Sequence, residues 1–250
     1  TRSQYNNVRK QLEEIAGKTI TDDGLQEVIR IYNESRKARR EFVRLAGLHP
    51  DKITPLKRSA VLKSTYFMEK KAYTSLLQQL NAALACLPAA EWKGIRILTS
   101  GILADSKNLL RIFEQYNMAI VADDVAHESR SFQVDVPAFD NYANQINDPM
   151  TALAMQFAGQ DHDPLLYDPD IHKRPAHIVN LARESGAQGV VILMMQFCDP
   201  EEMEYPSLKQ ALNEAGIPSV LIGYDQQMKD FGQARTQIQA LAEVIKMDNE

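Results

Sequence analysis

From residue 95 onward, short β-rich runs alternate with amphipathic helical stretches, and that alternation leaves the chain few folds to choose from. The runs are 95–100 (IRILTS), 118–124 (MAIVADD), 189–195 (GVVILMM) and 219–224 (SVLIGY). Helical candidates lie between and after them, at 104–116, 148–159, 173–186, 205–215 and 232–246. Strands spaced by helices form βαβ units, and such units build a parallel sheet covered on both faces. The expectation for 91–250 is therefore an open, mostly parallel four-stranded α/β domain of the Rossmann or flavodoxin kind.

Residues 1–90 have a helical texture instead, and are expected to form a separate helical segment. In 23–46, Leu25, Val28, Ile29, Ile31, Tyr32, Phe42, Val43 and Leu45 recur at three- and four-residue intervals as one apolar stripe. Asp23 and Gln26 have capping-box spacing at its start, and Gly47 fits its stop. A second helical stretch, 55–85, offers Tyr66, Phe67, Tyr73, Leu76, Leu77, Leu80, Ala83 and Leu84 for packing, and Cys86 at its end reads as a small buried hydrophobe. The basic run Arg36-Lys37-Ala38-Arg39-Arg40 lies in a helical pattern beside Glu34 and Glu41 and reads as a solvated helix face.

Composition narrows the function classes. A hydrophobic fraction of 44% supports a real core, and a formal net charge of −5 argues against a general nucleic-acid-binding surface. No stretch approaches the ~18 apolar residues of a membrane span. Cys86 and Cys198 are the two cysteines, with nothing like a secreted disulfide framework, so a reducing, cytoplasmic compartment is expected.

Ligands of open parallel sheets collect beyond the carboxyl ends of the strands, where the loops diverge. That rule selects Ser100 and Gly101 after the first strand and Asp123, Asp124, Glu128 and Arg130 after the second. It also selects Gln196 and Cys198 after the third and Asp225 after the fourth. Bland alternatives stand beside each: Ser100-Gly101 as a turn into a helix capped by Asp105, and the two aspartates as strand-end caps. An arginine at position 130 is suited to hold a carboxylate or phosphate bidentately. The five histidines, at 49, 127, 162, 172 and 177, show no zinc spacing, and His127 is the one near a strand-end loop. No GxGxxG, Walker, CxxC or GxSxG pattern occurs. Taken alone, Cys198 has three readings: a core residue, a nucleophile, or a ligand to a metal centre completed from elsewhere.

The segments VADDVAHESRSFQVDVP (121–137), DPLLYDPDIHKRPAHIVNLARESGAQGVVILMMQFCDPEEMEYPSLKQAL (163–212) and IPSVLIGYDQQMKDFGQARTQIQALAEVI (217–245) resemble the 2-hydroxyacyl-CoA dehydratase and benzoyl-CoA reductase family. FCDPEE is the most specific part. The resemblance implies a subunit of an oxygen-sensitive iron–sulfur enzyme, with a [4Fe–4S] cluster held on three cysteines, the last of which matches Cys198. It implies a related partner subunit, an acyl-CoA substrate and an ATP-dependent activator that delivers one electron. In the dehydratases that electron reaches the thioester carbonyl, and the ketyl radical expels the 2-hydroxyl group. The protein's share is to position the cluster, exclude water and tune its potential.

Two departures accompany the likeness. The family's other two cluster cysteines lie in an N-terminal α/β domain with no counterpart in this sequence, so the ligand set is incomplete. The expectation is a C-terminal portion of a longer subunit, since Thr1 opens directly into a helical pattern. Gln237 also stands where the family pattern has arginine, and Arg235 is the nearest substitute for a CoA contact. Alternatives to a catalytic subunit are a non-catalytic partner subunit and a CoA- or small-ligand-binding α/β module without a cluster.

Overall fold

A computed structural model describes residues 1–137, 148–160, 173–225 and 227–247. The described N-terminal part is helical: α1 (Arg2–Ala16), α2 (Asp22–Leu48), α3 (Pro55–Ser64) and α4 (Lys70–Ala85). An α/β arrangement follows: β1 (Ile95–Gly101), α5 (Lys107–Gln115), β2 (Met118–Val125), α6 (Pro149–Ala158), α7 (Lys173–Ser185), β3 (Gly189–Met195), α8 (Asp199–Glu214), β4 (Ser219–Tyr224) and α9 (Gly232–Met247). The four strands pair in parallel in the order β2-β1-β3-β4, as the alternation of runs and helices predicts.

Side-chain parity fixes which helices cover which face. In β3, Val191 and Leu193 point into a cluster with Leu109, Phe113, Ile238 and Leu241, from α5 and α9. Val190 and Ile192 point the other way, toward Ile178 and Ala182 of α7 and Leu208 and Leu212 of α8. Both faces of β3 are buried, which is why its sequence is a continuous apolar run and not an alternating one.

The first helices depart from the expectation in instructive ways. Thr21 caps α2 by accepting from the Gly24 N–H at 3.1 Å, earlier in the chain than the Asp23–Gln26 spacing suggests. Gly47 does not stop the helix. It lies inside α2, where an added Cβ would sit 2.8 Å from the Val121 carbonyl oxygen. Val121 is the extra residue where the β1–β2 register shifts, so α2 docks where β2 bulges. Alanine gains about 1 kcal/mol of helix propensity over glycine, but a Cβ pressed against backbone costs more. Gly47→Ala is expected to lower stability by a net ~1–2 kcal/mol in urea unfolding; an unchanged midpoint would show that α2 is free to shift.

The single stretch expected at 55–85 is two helices, interrupted at 65–69. Tyr66 (56% exposed) and Phe67 (79%) fall in that interruption and do not pack as expected, and Leu76 is on the outer face of α4. Cys86 is exposed and is not a core residue. The basic run is not wholly solvated either. Ala38 and Arg39 are buried, and Arg39 lies over the Phe132 ring at 4.7 Å from its centroid. Glu34 and Glu41 pair instead with Arg30 and Arg44. Helix α8 starts at Asp199, well before the expected helix at 205; Pro200 occupies its first turn and Pro206 lies inside it. Proline suits the first turn, where its missing N–H is no loss. Among the described residues, no helix is long and apolar enough to cross a membrane.

Candidate functional site

The central pair, β1 and β3, is where the chain departs to opposite sides of the sheet, so the strand-end crevice belongs between their carboxyl ends. Gly101 closes β1 there with φ 147°, and a Cβ on it would lie 2.2 Å from the Leu193 carbonyl oxygen of β3. Only glycine satisfies both conditions. Its carbonyl accepts from the Ala126 N–H at 2.9 Å and from the Arg130 guanidinium, so Gly101 joins β1 to the loop after β2.

Cys198 ends the turn that leaves β3. Its N–H donates to the Met195 carbonyl at 3.2 Å, and its own carbonyl accepts from the Glu202 N–H at 3.0 Å as the N-cap of α8. With proline at position 200, the Asp199 and Glu201 N–H groups are left in the first turn without an intrahelical acceptor. The thiol is free and half-buried. Just before it, Phe197 has φ 65°, a left-handed conformation that costs a non-glycine residue about 1–2 kcal/mol, while its side chain is 92% exposed. Phe197→Gly removes that strain and loses almost no packing. Thermal unfolding is expected to show a gain of about 0.5–1 kcal/mol after glycine's backbone entropy is subtracted, and a loss would mean the side chain packs in the folded chain.

Behind this turn lies a buried ion network. Arg58 of α3 is bonded to both Asp123 and Glu128. Arg174, at the start of α7, donates to Asp124 at 3.0 Å, to Ser100 Oγ at 2.9 Å and to Glu204. Arg130 reaches Glu201 at 3.3 Å and Asp124 at 3.9 Å. Ser129 donates its N–H to Asp123 at 3.0 Å and its hydroxyl to the same carboxylate. Each of the three arginines, and each of Asp123, Asp124, Glu128 and Glu201, is at most 4% exposed.

The electrostatics follow from burial and from the excess of carboxylates. Burial works against ionisation of Asp124, yet Arg174 and Arg130, with His177, outweigh it and hold this carboxyl below its ordinary range. Glu128 is pushed up by burial despite Arg58. Glu201 is raised in the same way, against Arg174 and Arg130. Glu201 and Glu204 both belong to α8, so the network clamps the first turns of that helix and with them the position of Cys198. The cavity lined by Ser100, Gly101, Arg174 and Glu201 has about 10 Å³, room for one water.

The structure thus gathers Ser100, Gly101, Asp123, Asp124, Glu128 and Arg130 into one assembly beneath the Cys198 turn. Gln196 is exposed above it, its N–H bonded to the Tyr224 carbonyl. Asp225 is exposed and caps its own turn through the Gln227 N–H. Arg235 lies on the outside of α9 with its guanidinium on Gln115, and Gln237 donates to the Leu221 carbonyl at 3.0 Å. Ser106, and not Asp105, caps α5; Asp105 pairs with Lys63. His127 Nδ1 meets the Ile102 carbonyl at 3.0 Å. His162 and His172 lie outside the described residues. Sequence reasoning missed Arg58, Arg174, Glu201 and Glu204. One signal was available: Pro55, Arg58, Ser59 and Leu62 form a single buried stripe, with a cation inside it.

A family model described as 2-hydroxyglutaryl-CoA dehydratase, D-component, matches residues 1–245. The chain belongs to that family. Among curated relatives, it is 48% identical to the β subunit of (R)-2-hydroxyglutaryl-CoA dehydratase from Acidaminococcus fermentans, over 98% of this chain and 64% of that one. Identity to the (R)-phenyllactyl-CoA dehydratase β subunit of Clostridium sporogenes is 46%, over 98% and 63%. For a benzoyl-CoA reductase subunit of Thauera aromatica it is 24%, over 98% and 62%. The chain therefore spans a little under two thirds of the length of each of these relatives.

Among the described residues, no group of three or more His, Cys, Asp or Glu side chains is placed to hold a metal ion. Cys198 fits one corner of a cluster site: a thiol at a rigid strand end, beside backbone N–H groups that lack an intrahelical acceptor. The exposed Cys86, at the end of α4, is not gathered with it.

Proposed function

We propose that this chain is part of a β-type subunit of a 2-hydroxyacyl-CoA dehydratase, and that Cys198 is one of its [4Fe–4S] ligands. The observation that carries the reading is the mounting of Cys198: a free thiol at the β1/β3 switch point, fixed through α8 to a buried network. The remaining ligands come from outside this chain. When bound, such a cluster supplies one-electron chemistry at the substrate thioester. This chain's own residues hold the thiol in place, and Asp199 and Glu201 offer backbone N–H groups toward the cluster sulfurs. Phe197, strained and exposed next to the thiol, is placed to exclude water once the rest of the enzyme covers it.

Dehydration is preferred to ring reduction because three dehydratase β subunits are 35–48% identical to the chain and the reductase subunit 24%. A companion subunit, acyl-CoA, an ATP-dependent activator and a cytoplasmic site of action complete the proposal.

The test combines the full-length subunit, its companion, the activator, ATP and a reductant under anaerobic conditions. Conversion of a 2-hydroxyacyl-CoA to the enoyl-CoA is expected, and turnover is expected to need the companion. Tight acyl-CoA binding by the full-length subunit alone, unchanged by iron removal and without turnover in the complex, would instead identify a ligand-binding module.

A further inference from the structure

The basic run at 36–40 is left unexplained by the buried network, and it opens onto a separate cleft. This cleft, of about 770 Å³, is formed by α2, the 65–69 interruption and the start of α4, and Arg36, Arg39 and Lys70 line it together. Arg39 is 6% exposed. Its guanidinium stacks on Phe132, and its hydrogen bond goes to the Ser35 carbonyl of its own helix at 3.4 Å. Arg36 Nε is buried with no hydrogen-bond acceptor among the described residues, and its Nη1 reaches the neutral Asn33 amide at 2.9 Å. Lys70 Nζ bonds the Thr65 carbonyl at 3.1 Å and the Thr65 hydroxyl at 2.7 Å, and lies 5.1 Å from the Tyr32 ring centroid.

Among the described residues, these hydrogen-bond and ring partners of the three cations are all neutral. The acids nearby have other hydrogen-bond partners: Asp135 pairs with Arg40, Glu34 with Arg30 and Glu41 with Arg44, while Glu69, which also lines the cleft, accepts from the Lys71 and Ala72 N–H groups that open α4; Asp135 and Glu69 still attract Arg36 and Lys70 through space. This contrasts with Arg58, Arg130 and Arg174, each buried against carboxylates. Charges taken out of water normally have a counter-ion, since the desolvation cost is otherwise uncompensated. The crowding is visible at Lys70, whose ammonium is held below its ordinary range by burial first and then by Arg39 and Arg36, which together outweigh the attraction of Glu69. Burial depresses both arginines as well.

We propose that Arg36, Arg39 and Lys70 form a binding site for a phosphate-type anion, specifically the diphosphate of a nucleotide-like ester. Guanidinium forks match phosphate oxygens bidentately, and three cations suit a multiply charged anion better than a single carboxylate. The cleft exceeds what one phosphate needs and falls in the usual range for small-molecule sites. Tyr32 (42% exposed), Tyr66 (56%) and Met68 (38%) line it too and offer apolar surface to the organic part of the ester. The site is separate from the Cys198 turn and does not depend on the dehydratase reading.

The experiment is calorimetric titration of the full-length subunit with pyrophosphate, ADP, CoA and, as a carboxylate control, citrate. Wild-type protein is expected to bind at least one of the two diphosphate esters more tightly than citrate. Arg36→Gln and Lys70→Gln, made separately, are each expected to weaken that binding about tenfold, as loss of a charge-assisted contact does. Binding of pyrophosphate alone would reduce the site to inorganic diphosphate and contradict the ester. Arg39 is left in place because it packs on Phe132. Without ligand, both variants are expected to stay folded and to melt close to wild type, so that lost binding reports on the site. Absence of phosphate-ester binding, equal binding in both variants, or citrate binding as tightly as the esters would overturn the proposal.

Discussion

Arg58→Met is expected to lower the unfolding free energy by about 3–5 kcal/mol, the usual penalty for stranding a buried charge. Arg58 is 2% exposed and is the guanidinium bonded to both Asp123 and Glu128, which come from the end of β2 and the loop after it. Methionine fills much of the same volume, so packing is nearly conserved and the loss reports on charge. Glu128, already raised by burial, then takes up a proton, whereas Asp123 keeps its bonds from the Ser129 N–H and hydroxyl. The triple variant Arg58→Met, Asp123→Asn, Glu128→Gln replaces both carboxyl groups by neutral amides and is expected to recover much of the loss. Urea unfolding of the three proteins is the measurement. A single variant within about 1 kcal/mol of wild type, the level of an exposed pair, would mean that water reaches the network.

The same contact explains how much of the molecule is legible in the sequence. Apolar runs of strand length, with helices between, specify a parallel sheet through local pattern alone, and the run at 189–195 coincides with β3 residue for residue. Gly47 looks like a helix stop because its true reason is tertiary: the carbonyl it faces belongs to Val121, far along the sequence, and no local rule contains it. Asp123, Asp124, Glu128 and Arg130 stand out as too much charge for a turn. Their partners do not, because Arg58 and Arg174 come from helices whose polar residues look solvated until the helix is docked. The chain position of Cys198 is likewise readable, but its clamp through Glu201 and Glu204 depends on the start of α8, which Pro206 disguises by suggesting a boundary near it.

Cys198→Ser carries the largest functional effect. The substitution is nearly isosteric and leaves the N-cap turn intact, because the contacts there use the backbone of residue 198. Stability is therefore expected to change by less than about 1 kcal/mol. Serine is a poor ligand for iron, since cluster sites are built from thiolates, so turnover by the assembled enzyme is expected to fall by several orders of magnitude. A substitution that is silent in folding and severe in activity separates a ligand from a core residue. Cys86→Ser serves as the control, as Cys86 is exposed at the end of α4, and it is expected to be silent in both.

The most direct measurement is the iron and acid-labile sulfide content of the anaerobically purified full-length subunit, with and without Cys198→Ser. The wild-type protein is expected to contain about four of each per subunit, as a [4Fe–4S] cluster requires, with the matching visible absorbance, and the variant is expected to lose most of both. A variant that keeps the full complement of iron and sulfide, or a wild-type subunit that stays colourless after reconstitution, would contradict the assignment of Cys198.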